Sequence, residues 1–199
     1  GRDSSYSNLE TFTDTLSNDI VYEYDQTGRM TKYFLPENTA TAYNTNVYDS
    51  IDRVESQANA RSKISTNYFA GARTEIEDPL SNSVVRYFNR AGQVTRFMDA
   101  LGNETQNSYD GLNRLVETTM PEGNQLQLTY DANNNIWTRT AVPKPGSGLS
   151  NVVETFTYDT TWAKVETYQD RNSNTTTYTY DGSTSNLLTV ERPVIGGFT

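Results

Sequence analysis

Short stretches of the chain alternate between apolar and polar positions. In Gln125-Leu126-Gln127-Leu128-Thr129-Tyr130, the side chains of Leu126, Leu128 and Tyr130 fall on one face of an extended segment. In Thr175-Thr176-Thr177-Tyr178-Thr179-Tyr180, the two tyrosines do the same. No apolar stripe of 3.6-residue period runs for long, and helix formers are scarce. The alternating stretches are punctuated by Asp/Pro/Gly/Asn clusters, which tolerate positive φ or hydrogen-bond their own backbone. The pattern predicts strands joined by tight turns.

These strands recur. Tyr-Asp pairs stand at Tyr24-Asp25, Tyr48-Asp49, Tyr109-Asp110, Tyr130-Asp131, Tyr158-Asp159 and Tyr180-Asp181, with degenerate copies at Tyr68-Phe69 and Tyr87-Phe88. Successive tyrosine spacings are 24, 20, 19, 22, 21, 28 and 22 residues. The longest contains a Pro/Gly-rich insertion at 143–150, beginning Pro143-Lys144-Pro145-Gly146-Ser147-Gly148. After each pair comes a small or polar turn, then a basic or polar residue and an aliphatic one, as in Gly28-Arg29-Met30 and Asn113-Arg114-Leu115. About ten residues beyond the tyrosine lies a second turn, such as Asp99-Ala100-Leu101-Gly102-Asn103 or Pro121-Glu122-Gly123-Asn124.

A strand, a turn, a strand and a turn every 22 or so residues make a hairpin that is marginal alone and must stack on its neighbours. Two domains of sequence follow: an N-terminal flank, 1–19, with a degenerate strand near Leu9 to Phe12, and about eight tandem copies over 20–199. The expected fold class is all-β, with tandem β-hairpin repeats forming a long curved antiparallel β-strip, a spiral or open-shell segment. Unpaired strip edges are prone to edge-to-edge association, which an acidic surface opposes at low salt.

Composition narrows the chemistry. Leu, Ile, Val and Phe make up 38 of 199 residues, about 19 %, and mean hydropathy is -0.74, the border of disorder. Against that stand 14 Tyr and 2 Trp, which bury large apolar areas and favour strands. With no Cys and no His there is no thiol nucleophile, no Ser-His or Cys-His dyad, no zinc site of the usual ligands and no disulfide. A net charge of -9 argues against nucleic-acid binding. The lack of a long apolar run argues against membrane insertion.

Candidate sites are few. The Tyr-Asp pair reads first as structural, with Tyr packing on the sheet and Asp accepting backbone N–H bonds in an Asx turn. The alternative is rows of aromatics that stack on sugar rings. Trp137 and Trp162 are expected to fill the concave face, or else to form a sugar-stacking platform. Asp170, Asn172, Asn174 and Asp181 fall at positions 1, 3, 5 and 12 of an EF-hand-like loop, but Thr175 stands where glycine is needed and the flanks are strands. Asp131-Ala132-Asn133-Asn134-Asn135 reads as a hairpin turn. No two carboxylates stand out as a glycosidase pair. No catalytic, cofactor-binding or metal-ligating residue is singled out, the ligand-binding residues are unknown, and no enzyme activity is expected.

Tyr24-Asp25-Gln26-Thr27-Gly28-Arg29-Met30, and Asp99-Ala100-Leu101-Gly102-Asn103 followed by Tyr109-Asp110-Gly111-Leu112-Asn113-Arg114-Leu115, closely resemble the YD-repeat, or RHS-repeat, family. The resemblance runs from about Ile20 to Leu188. Residues 68–98 depart from it. Phe69 and Phe88 stand in place of the Asp, so strand pairing is expected to persist there without its Asx turn. The resemblance implies a non-catalytic structural module of a β-shell that encloses or displays a toxin or effector in a secreted or cell-surface protein. It implies further repeats or an effector domain of the parent protein as partners, and no cofactor. A carbohydrate-binding adhesion module, with cell-surface glycans as partners, is the alternative. Asp78-Pro79-Leu80 shares two residues with the self-cleavage motif of toxin shells, but in mid-array it reads as a repeat turn.

Overall fold

The computed structural model describes residues 8–193, and among them all regular structure is β-strand. The chain divides into two compact units. The first runs to Gly92 and adds Phe97–Gly102; the second takes Gln93–Arg96 and the residues from Asn103 onward. The first unit holds β1 (Thr11–Thr13), β2 (Asp19–Tyr24), β3 (Met30–Phe34), β4 (Asn44–Tyr48), β5 (Val54–Asn59), β6 (Ile64–Ala70), β7 (Arg73–Glu77) and β8 (Ser83–Phe88). Strand β9 (Val94–Met98) is shared. The second unit holds β10 (Glu104–Tyr109), β11 (Leu115–Thr119), β12 (Gln125–Tyr130), β13 (Ile136–Val142), β14 (Val152–Tyr158), β15 (Val165–Gln169), β16 (Thr175–Tyr180) and β17 (Leu187–Glu191).

From β1 to β8, and again from β10 to β17, each strand pairs antiparallel with the next in sequence. The all-β, tandem-hairpin expectation is met in both units. One local rule builds most hairpins. In Asp25-Gln26-Thr27-Gly28-Arg29, the Gly28 N–H bonds the Asp25 carbonyl at 3.0 Å, and the Asp25 N–H bonds the Arg29 carbonyl at 2.9 Å. Gly28 sits at φ 85°, the left-handed step that closes this three-residue loop. Asn113 and Asn134 take the same step at φ 62° and 69°, as asparagine does at modest strain.

A β-bulge accompanies each Tyr-Asp turn. Glu23 pairs with Lys32 and Tyr24 with Met30, which leaves Thr31 opposite no residue. Glu55, Val116, Trp137, Glu166 and Leu188 are the corresponding extra residues. A bulge bends its strand and increases local twist, so recurrence at a fixed place supplies curvature to each ribbon.

Trp137 is therefore no core filler. As an unopposed bulge residue it stays 53 % exposed. Trp162 lies inside a turn that is one residue longer, Asp159 to Lys164, and is 42 % exposed. More generally, within each unit the described residues form no second layer on which the ribbon could bury a face. Among the described residues only Val85 and Asn46 are nearly fully buried, at 2 % and 6 % exposure.

Candidate functional site: the tyrosine–aspartate ladder

Every Tyr-Asp turn spends its carboxylate on its own backbone. Asp110 Oδ1 accepts the N–H groups of Leu112 and Arg114 at 2.9 Å each, and Oδ2 accepts Arg114 Nε at 2.8 Å. Asp25 and Asp49 do the same with Arg29 and Arg53, both at 2.7 Å to Nε. At Asp131 the side-chain amide of Asn135 replaces the guanidinium at 3.1 Å. These bonds favour the ionised form. Asp110 and Asp49 are held below the ordinary carboxylate range chiefly by the backbone N–H of Arg114 and Arg53, and Asp25 chiefly by the Thr27 hydroxyl.

The arginine or lysine that closes one turn also reaches the aromatic of the next repeat. Arg29 lies over the Tyr48 ring at 4.7 Å, Arg114 over Tyr130 at 4.4 Å, and Lys164 over Tyr180 at 5.1 Å. The tyrosine hydroxyl completes the link. Tyr48 donates to the Met30 carbonyl at 2.6 Å, Tyr109 to Val94 at 2.9 Å, and Tyr130 to Leu115 at 2.7 Å. Tyr158 donates to Ile136 at 2.9 Å, Tyr180 to Val165 at 2.8 Å, and Tyr24 to Leu9 at 2.9 Å. At Met30, Leu115, Ile136 and Val165 the accepting residue is the one paired with the preceding aromatic, Tyr24, Tyr109, Tyr130 and Tyr158 respectively. Hairpin is thus tied to hairpin through bulge carbonyls.

An asparagine two residues before the aromatic adds a second donor to the same carbonyl. Asn46 Nδ2 reaches Met30 at 3.0 Å and Asn107 Nδ2 reaches Val94 at 3.0 Å. Asn46, though buried, is fully engaged, because its Oδ1 accepts Asn44 and Gln57 at 2.9 Å each. Sequence reasoning missed this donor. Its signal is the Asn-x-aromatic spacing of Asn46-Val47-Tyr48, Asn67-Tyr68-Phe69 and Asn107-Ser108-Tyr109.

That spacing corrects the reading of 68–98. Asn67 Nδ2 bonds the Val54 carbonyl at 2.9 Å and Arg53 lies over the Phe69 ring at 4.1 Å. Phe69 therefore occupies the tyrosine place, not the aspartate place, and the turn behind it is a tight Gly71-Ala72 between paired Ala70 and Arg73. Phe88 likewise stands for tyrosine and Asn89 for aspartate. Asn89 keeps the Asx turn, with the Ala91 N–H on its Oδ1 at 2.9 Å. Through this region the aromatic spacings become 21, 19 and 21 residues.

The remaining candidates resolve as turns. Asp170 spends its carboxylate on the N–H groups of Asn172 and Asn174 and on the Asn174 side chain, at 2.8 to 2.9 Å. Asp181 serves its own loop through Ser183 and Thr184. No group of three or more His, Cys, Asp or Glu suited to a metal occurs among the described residues. Asp78 accepts the Leu80 and Asn82 N–H groups, an ordinary second turn. Apart from the ladder, the first unit carries a groove of about 610 Å³ lined by Tyr33, Tyr43, Asn44, Gln57, Asn59 and Arg61. Tyr33 of this groove lies between Tyr22 and Tyr43 in a tier of rings, with centroids 6.4 and 5.3 Å apart. The extended β3–β4 loop, pinned by Asn38, brings Tyr43 beside Tyr33.

Turn, bulge and ladder, repeated from hairpin to hairpin, define a tandem β-hairpin repeat protein. Residues 88–125 match the RHS Repeat family model. No curated protein matches the sequence significantly. Among solved structures, similar chains include TcdB2-TccC3, at 12 % identity over 92 % of this chain and 13 % of that one, TM-score 0.47. TcdB2-TccC3-Cdc42 matches at 14 % identity over 87 % of this chain and 12 % of that one, TM-score 0.45. The Photorhabdus luminescens Tc holotoxin pore matches at 13 % identity over 88 % and 12 %, TM-score 0.40. The chain spans about one eighth of the length of these proteins.

Proposed function

We propose that this chain is a non-catalytic structural module, a stretch of repeat wall that encloses or displays a toxin or effector in a secreted or cell-surface protein. The observation that carries the reading is the ladder itself. The groups most able to do chemistry, the turn carboxylates and the tyrosine hydroxyls, are bonded within turns and between successive hairpins. Its partners are then further repeats or an effector domain of the parent protein. The test is the double variant Tyr109→Phe/Tyr130→Phe. Each lost hydroxyl bond is expected to lower unfolding stability by about 1 kcal/mol, and an unchanged unfolding midpoint rejects the wall reading. In the full-length parent, the same variant should speed proteolysis of any enclosed domain.

The Tyr22–Tyr33–Tyr43 tier supports a second reading, an adhesion surface for cell-surface glycans, since aromatic faces flanked by amides suit sugar rings. Titration with a glycan panel, read at the Tyr33 and Tyr43 ring signals, checks it; unmoved signals remove it.

A further inference from the structure

With no cysteine the chain cannot staple its hairpins by disulfides, but it carries 14 tyrosines. Those of the ladder are guarded. The hydroxyls of Tyr48, Tyr130 and Tyr180 are each given to a carbonyl, and a cation lies 4.4 to 5.1 Å from each ring centroid. A cation over a ring opposes loss of an electron from it. The tier of the first unit is different. Among the described residues no cation lies over the rings of Tyr22, Tyr33 and Tyr43, and no acceptor holds their hydroxyls. They rest on one another instead. Tyr33 and Tyr43 have ring centroids 5.3 Å apart and planes inclined by 39°, whereas Tyr22 and Tyr33 stand 6.4 Å apart. The Tyr43 N–H donates to the Tyr33 carbonyl at 2.9 Å, so the backbone fixes the closer pair. Tyr43 is 49 % exposed, and both rings line the open groove, which gives a small oxidant access.

We propose that Tyr33 and Tyr43 form an oxidative cross-linking site, joined ring to ring by a carbon–carbon bond when a peroxide and a haem peroxidase are supplied. Each phenol gives up one electron and its hydroxyl proton. The two phenoxyl radicals couple through ring carbons ortho to their oxygens, and the ortho hydrogens then move to the oxygens, which restores both phenols. Overall each tyrosine loses one hydrogen atom, and one molecule of hydrogen peroxide is reduced to two waters. Coupling requires two radicals to meet before either is quenched, so ring contact selects the pair. Tyr43, closer than Tyr22 and held by the backbone bond, is the partner of Tyr33. The link ties the β3–β4 loop to β3 and removes freedom from the unfolded chain, as a disulfide closing the same loop would.

The test treats the whole folded chain with hydrogen peroxide and a haem peroxidase, then digests it with trypsin and a protease that cuts after glutamate. Glu37 lies between the two tyrosines, so the unlinked chain yields 33–37 and 38–53 as separate peptides. The expected product is the two peptides joined, two hydrogens lighter than their sum, with dityrosine fluorescence. Tyr33→Phe and Tyr43→Phe keep both rings for packing and should each abolish it, while Tyr178→Phe should leave it. In urea, where the ring contact is lost, the yield of this link should fall. No joined peptide from the folded chain, linkage of Tyr33 to Tyr22 or of one chain to another in its place, or an equal yield in urea each overturn the proposal.

Discussion

A single aspartate organises each turn, and its ionisation state is the lever. The turn aspartates have folded-state pKa values below their unfolded ones, so the stability they contribute is present above the unfolded value and lost as pH falls through the folded one. The unfolding midpoint should stay level between neutral pH and about 5, then fall below about 4, the unfolded aspartate range. Asp49→Asn and Asp110→Asn should each flatten that acid limb, as thermal melts across pH would show. Arg114 binds Asp110, reaches Asn134 at 2.8 Å and covers the Tyr130 ring. Arg114→Ala should destabilise by about 1 kcal/mol, chiefly through the lost ring contact, and Arg114→Lys should recover only part of it in urea titrations. The Asp of these turns was legible in the sequence because Asx-turn bonding acts over four residues; the bond of each Arg to the Asp of its own turn was not. The hydroxyl acceptors were not, since they lie 15 to 22 residues away.

At the level of the hairpin, turn geometry and bulge set what a position tolerates. Gly123 has φ 86°, and a Cβ there meets Pro145 Cδ at 3.2 Å because the 143–150 loop leans over the neighbouring turn, with Lys144 on Glu122. Gly123→Ala should cost about 1 to 2 kcal/mol from the left-handed backbone, before the proline is displaced. Denaturant midpoints measure it. Trp137→Ala, at an exposed bulge position, should change stability by less than about 0.5 kcal/mol in the same assay. The insertion was visible as a Pro/Gly-rich interruption, but its resting place was not, because composition marks a loop without saying which turn it covers. Phe69 and Phe88 were read one place out for a related reason. Adjacent Tyr-Phe pairs look alike in sequence; the Asn67 bond to Val54 and the Arg53 contact place Phe69 on the ladder, and the Asn89 turn places Phe88.

For the molecule as a whole, stability comes from neighbour-to-neighbour links rather than from a core. Val85, in the middle of β8, is the exception at 2 % exposure. Val85→Ala should be among the more damaging single truncations, about 1 to 3 kcal/mol. In a repeat array each hairpin is held by adjacent ones, and local stability varies from strand to strand. Native-state hydrogen exchange should therefore be slower in β12 and β13 than in β17, whose residues are exposed throughout. A uniform exchange rate along the second unit contradicts this.

Alternation, turn residues and the roughly 22-residue period were enough to establish strands, hairpins and the Asx turns, because all of these are interactions among residues near in sequence. Which carbonyl receives each tyrosine, why Trp137 stays in solvent, and how Tyr22, Tyr33 and Tyr43 come to lie side by side depend on strand register, a relation between hairpins. Register follows from the one-residue offset at each bulge, and that offset exists only once both strands are paired.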